Sequence, residues 1–138
     1  MEVDGVVLQK ALLIDDDTVT NLMHQRLIRR SGLIAQVDVA TDGEAALRHL
    51  DESDRMPDLI VLDINMPGMN GFEFLEAYVP RLASEGSGNP LIAMVSTSEA
   101  REDREQAMAN PNVHCFINKP LNEAAIRDLV AACQEAQG

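Results

Sequence analysis

Residues 57–71 read PDLIVLDINMPGMNG, an apolar run that stops at an aspartate and then breaks into a loop of proline, glycine and asparagine. No polar residue interrupts Leu59, Ile60, Val61 and Leu62. A strand reads this way when helices cover both of its faces, as they do in a parallel sheet. Parallel strands need crossover connections long enough to hold a helix, so the stretch points to an α/β fold. Asp63 is then the first charged residue beyond a buried strand. Ligands of open α/β sheets bind outside the carboxyl ends of the strands, which makes Asp63 the reference point for a site.

The rest of the chain repeats the pattern. Five times an apolar run of strand length meets a polar turn and then a segment of helical periodicity. The first strand, residues 11–14, runs into Asp15, Asp16 and Asp17. Val19, Leu22, Met23 and Leu27 then recur at helical spacing, with Asp17 as N-cap and Ser31 and Gly32 as the stop. The second strand is short, residues 37–40, and Asp42 caps a helix carrying Ala46, Leu47 and Leu50 on one face. After the third strand, Phe72, Leu75, Val79 and Leu82 form an apolar helical face before a Ser/Gly-rich loop at residues 84–89. The fourth strand, residues 91–95, ends in Ser96, Thr97 and Ser98. Its helix, EAREDREQAMA at residues 99–109, has little beyond Ala107 and Met108 to bury and is expected to be held less firmly than its neighbours. The fifth strand, residues 113–118, meets Lys119 and Pro120, and Ile126, Leu129, Val130 and Cys133 give the last helix its core face.

A chain of 138 residues can bury one core, so a single domain over residues 1–138 is expected, with its core at about residues 8–136. Acidic residues outnumber basic ones 23 to 11, a net charge of -12 that would repel a phosphate backbone, so direct nucleic-acid binding is not expected. The first residues are acidic and contain no apolar segment of signal-peptide or membrane-spanning length, which predicts a cytoplasmic protein with no membrane contact. Cys115 and Cys133 lie in apolar periodic segments without metal-ligand spacing and read as reduced thiols. His24, His49 and His114 have no acid or cysteine at catalytic spacing and read as surface or partly buried side chains.

If the strands are parallel, one edge collects Asp15, Asp16, Asp63, Ser96 or Thr97, and Lys119. Two carboxylates ~4 Å apart at an effective dielectric of ~20 repel by roughly 4 kcal/mol, so three at one edge call for a cation. Oxygen ligands with room for water suit Mg²⁺, with Mn²⁺ as an alternative. A divalent ion, an ionised carboxylate, a lysine and a hydroxyl are the parts of phosphoryl transfer. Helix capping is sufficient to account for Asp17. Two consecutive acids directly after four apolar residues, Asp15 and Asp16, exceed what a cap needs. Met66, Pro67, Gly68 and Gly71 read as turn chemistry.

Four motifs in order, ALLIDDD, LIVLDINMPGMNG, the hydroxyls after LIAMV, and Lys119-Pro120, resemble the CheY-like receiver domain of two-component response regulators over essentially the whole chain. The resemblance implies a flavodoxin-like (βα)5 fold, a doubly wound five-stranded parallel sheet in the order 2-1-3-4-5, in a stand-alone regulatory phosphoacceptor and not a metabolic enzyme. It implies Asp63 as phosphoacceptor, Asp15 and Asp16 as the acidic pair around Mg²⁺, and the Asn65 backbone carbonyl as a further ligand. Lys119 would hold the phosphate. Ser96 would be the switch hydroxyl, or Thr97 if the fourth strand is one residue longer. Phe116 falls at the signalling aromatic, and Pro120 where the family often has a cis bond. The implied partners are a sensor histidine kinase or histidine phosphotransfer protein and a downstream protein target. Output is expected through the fourth helix, fifth strand and fifth helix, with His114, Phe116 and Asn118 on the partner side of the strand. LLIDDDTV also resembles the first motif of haloacid-dehalogenase phosphatases, with Asp15 as nucleophile and Asp17 as general acid. That family needs a further strand with an acidic pair after its lysine, and the sequence after Lys119 reads as a helix.

Overall fold

The computed structural model describes residues 7–53, 56–81, 90–97 and 101–137. Strands and helices alternate along the chain: β1 (Leu8–Ile14), α1 (Thr18–Ser31), β2 (Ile34–Ala40), α2 (Gly43–Glu52), β3 (Leu59–Asp63), α3 (Gly71–Tyr78), β4 (Leu91–Ser96), α4 (Arg101–Ala109), β5 (Cys115–Asn118) and α5 (Glu123–Gln137). A 3-10 turn, Val79–Arg81, extends α3. The strands form one sheet in the order β2-β1-β3-β4-β5, with every neighbouring pair parallel. This is the flavodoxin-like order expected from the sequence. The expected loop at residues 84–89, together with Leu82, Ser98 and Glu99, lies outside the described residues.

The sheet divides two apolar cores, and strand alternation decides which residue enters which. Leu12, Ile60, Leu62, Ile92 and Met94 pack with Ala46 and Leu50 of α2, Phe74 and Tyr78 of α3 and Ala107 of α4. Ala11, Leu13, Val61, Ala93 and Val95 pack on the other face with Ile28 of α1 and Ile126, Leu129 and Cys133 of α5. All five residues of β3 are buried, which accounts for its unbroken apolar sequence. The Phe74 and Tyr78 rings stack at 5.5 Å.

Several elements depart from expectation. β1 starts three residues early, because Lys10 interrupts its apolar run and yet is buried, with its ammonium 3.4 Å from Asp38 and 3.3 Å from Ser53 Oγ; β2 starts three residues early with it, Ile34 pairing with Leu8. β5 begins at Cys115, since Val113 N–H is still bonded to Asn110 O in the preceding turn. Val79, expected on the apolar face of the third helix, lies in the 3-10 turn and is 37% exposed, because Phe74 and Tyr78 carry the core contacts of α3. The face of α1 differs as well. Val19, Leu22 and Met23 are 65%, 47% and 47% exposed, whereas Asn21, His24 and Ile28 are buried. The helix is phased by its cap: Asp17 accepts from Val19 N–H and Thr20 N–H, and that phase turns Asn21 and His24 toward the strand ends. Gly32 closes the helix at φ 70, a left-handed conformation that glycine adopts without steric cost.

Candidate functional site

Parallel pairing aligns the strand ends. Ile14 is in register with Leu62, Asp63 with Val95, and Ser96 with Asn118. Asp15 follows β1 and is 4% exposed; its N–H continues the ladder to Ala40 O, and Asn21 Nδ2 donates to its carbonyl at 2.8 Å. Asp63 ends β3 and is 3% exposed. The chain turns away at once: Ile64 N–H bonds to Val95 O and Gly71 N–H to Ile64 O. A side chain at position 71 would place its Cβ 2.6 Å from Asp63 O and 2.8 Å from Met94 Cε, so the return of α3 past the aspartate needs a glycine. An Asn70/Glu73 capping box starts that helix.

Lys119 reaches the same edge from the end of β5. Its N–H bonds to Ser96 O, and its Nζ stands 2.6 Å from Asp15 Oδ2 and 3.1 Å from Asp63 Oδ1. Asp16 is exposed, and carboxylate oxygens of Asp15, Asp16 and Asp63 lie within 4.8 Å of one another. Burial, and then the charge of Asp15, push the Asp63 carboxyl up from 3.8 to about 6; Lys119 and the Asn65 backbone N–H oppose the shift. Burial acts against the Lys119 ammonium, but its bonds to Asp15 and Asp63 outweigh it and raise its pKa. Three acids face one ammonium, and Asp15 Oδ2 has that ion pair but no well-directed hydrogen bond. An all-oxygen cluster short of positive charge fits a hard divalent cation.

The other sequence candidates lie around this centre. β4 runs one residue beyond the expected 91–95, the condition under which Thr97 is the alternative hydroxyl, yet it is Ser96, its last residue, that is wholly buried, while Thr97 is exposed. Asn65 is exposed at the head of the β3–α3 loop. Phe116 is half-buried and packs on the α2–α3–α4 side of the sheet. The Lys119–Pro120 bond is cis. Asp17 is turned to its own helix: Oδ2 accepts from the Thr20 hydroxyl at 2.9 Å, and this bond, with that of Val19 N–H, holds its carboxyl below the ordinary value. It is absent from the acidic cluster found among the described residues. Asn21 and His24 were not singled out as site residues from the sequence. Their one signal is position, two polar residues three apart on the helix that follows the acids.

Residues 11–131 match the family described as Response regulator receiver domain. The chain belongs to this family. As a receiver domain of two-component signalling it is similar to a two component response regulator of Cytophaga hutchinsonii, 29% identical, covering 93% of this chain and 98% of that one at a TM-score of 0.84. A response regulator receiver protein of Dyadobacter fermentans is 30% identical over 91% of this chain and 98% of that one, with a TM-score of 0.79. The sensor histidine kinase GacS of Pseudomonas protegens is 29% identical over 121 residues; these cover 88% of this chain and 13% of the kinase, so the receiver matches a small part of that relative's length. The family is one of regulatory signalling domains, and the cluster of Asp15, Asp16 and Asp63 could bind a metal ion. No helix among the described residues is long and apolar enough to cross a membrane.

Proposed function

We propose that the protein is a phosphorylation-controlled switch that accepts a phosphoryl group on Asp63 from a phosphohistidine of a sensor histidine kinase or histidine phosphotransfer protein. The observation that carries this reading is the placement of Lys119 Nζ between Asp15 and Asp63 beside an acidic cluster at the sheet edge. An Asp63 carboxylate oxygen attacks phosphorus, the P–N bond breaks, and the imidazole leaves with the bonding pair. A carboxyl with a pKa of about 6 is mostly ionised at neutral pH, so no separate base is needed. Asp15, Asp16 and Asp63, with the Asn65 carbonyl, would hold Mg²⁺ or Mn²⁺, which supplies charge neutralisation for the transferring phosphoryl group. Lys119 donates to the phosphoryl oxygens, and the buried Ser96, preferred to the exposed Thr97, supplies the hydroxyl.

The exposed apolar residues Val19 and Leu22 line a groove of about 350 Å³ that also takes in Val39 and Thr41, and this face of α1 suits an apolar helix of the phosphodonor. Output uses α4, β5 and α5. Ala107 is the buried residue of α4, which leaves that helix free to adjust when Ser96 moves toward the phosphate and Phe116 follows. Charge-assisted bonds of ~1.5 to 3 kcal/mol shift a two-state equilibrium by roughly one to two powers of ten, which gives a graded switch.

Acetyl phosphate with Mg²⁺ should add one phosphoryl group by intact mass, and Asp63→Asn should abolish the adduct without unfolding the protein. An adduct that survives Asp63→Asn and disappears with Asp15→Asn would instead favour the phosphatase chemistry; the engagement of Asp17 as a helix cap argues against it.

A further inference from the structure

The buried stripe of α1 is polar where it passes under the site. His24 is 2% exposed, and its Nε2 accepts the backbone N–H of Leu121 at 3.2 Å, a bond between residues 97 apart in sequence. Leu121 follows Lys119 and Pro120, and Pro120 has no N–H to offer. The short turn carrying the lysine is therefore fastened on both sides, by Lys119 N–H to Ser96 O on β4 and by Leu121 N–H to His24 on α1. Beyond it Asn122 caps α5 through Ala125 N–H. An imidazole that accepts at Nε2 is neutral and carries its proton on Nδ1. Burial keeps His24 in that form by lowering its pKa; the Asp15 charge opposes this and Lys119 adds to it.

We propose that His24 is a positioning residue for phosphoryl transfer: by accepting the Leu121 N–H it fixes the β5–α5 turn so that Lys119 Nζ stands between Asp15 and Asp63. This rests on the reading of Asp63 as acceptor. His24 touches no reacting atom and acts through the lysine.

His24→Leu keeps an apolar side chain in the space and leaves the buried Leu121 N–H without its acceptor, whereas His24→Gln retains an acceptor. Two quantities are measured for each: the rate of Asp63 phosphorylation by acetyl phosphate at saturating Mg²⁺, and Mg²⁺ affinity by calorimetry. A displaced Lys119 slows transfer and ceases to compete with the metal for the same carboxylates. His24→Leu should thus lower the rate about tenfold or more and raise Mg²⁺ affinity, and His24→Gln should restore most of both. General loss of structure would weaken both together. The proposal is overturned if His24→Leu matches the wild type in rate, if its Mg²⁺ affinity is unchanged or lower, or if His24→Gln behaves like His24→Leu. Should His24→Leu not fold, His24→Met takes its place with the same expectations. A wild-type protein that accepts no phosphoryl group would refute the acceptor reading, while raised Mg²⁺ affinity in His24→Leu would still support the placement of Lys119 by His24.

Discussion

Asp63 is ionised at neutral pH in a place that disfavours its charge, and replacing it with asparagine should therefore stabilise the metal-free protein. The carboxyl rises from 3.8 to about 6 through burial and the charge of Asp15, net of the attraction of Lys119. At ~1.36 kcal/mol per pH unit the difference corresponds to about 3 kcal/mol. A raised acid pKa means that the folded state holds the proton more tightly than the unfolded one. Stability from this group is thus full below about pH 4 and is lost as pH rises through about 6. Asparagine has no charge to lose, so Asp63→Asn should match the wild type near pH 4 and exceed it by about 3 kcal/mol near pH 7, a large share of the ~5 to 15 kcal/mol of an ordinary domain. Urea denaturation in the presence of a chelator, repeated across this pH range, measures the difference. Mg²⁺ should then narrow it by stabilising the wild type more. A gap that did not change with pH, or a variant less stable than wild type near pH 7, would refute the reasoning.

Asp16→Ala should weaken Mg²⁺ binding in a calorimetric titration and leave the metal-free protein at least as stable, since one of three mutually repelling acids is gone. Gly71→Ala should destabilise by ~1 to 3 kcal/mol in urea, because the new methyl meets the Asp63 carbonyl at 2.6 Å and backbone cannot yield cheaply. Hydrogen exchange with and without beryllofluoride should change protection in α4 and β5 as well as around Asp63; a change confined to Asp63 would sink the account of output.

The sheet was legible because strands covered on both faces carry an unbroken apolar signal, as at Leu59 to Leu62. The acidic residues after β1 and β3 were legible for the converse reason, that charge directly after such a run needs an explanation. The start of β1 was not, since Lys10 looks like an interruption until Asp38 and Ser53 are seen beside its ammonium. The face of α1 was misread for a related reason. Periodicity assumes that a helix buries its apolar side, but Asn21 and His24 find buried partners in Asp15 and Leu121, and the partner of His24 is 97 residues away in sequence. That pairing exists only once β1 and β5 end on the same edge. The weak anchorage expected of α4 depended on composition alone; of the two residues expected to be buried, Ala107 is, whereas Met108 is 52% exposed.

Because the sheet separates two cores, a change on one side has few routes to the other. In β4, Ile92 and Met94 belong to one core and Ala93 and Val95 to the other; in β5, Phe116 packs on one side and Cys115 and Ile117 on the opposite. Side chains that share no neighbours and lie more than about 7 Å apart contribute to stability nearly additively, so well-separated replacements on opposite faces combine close to their sum. Substitutions under α2, α3 and α4 can thus accumulate while the packing of α1 and α5 on the opposite face keeps its shape.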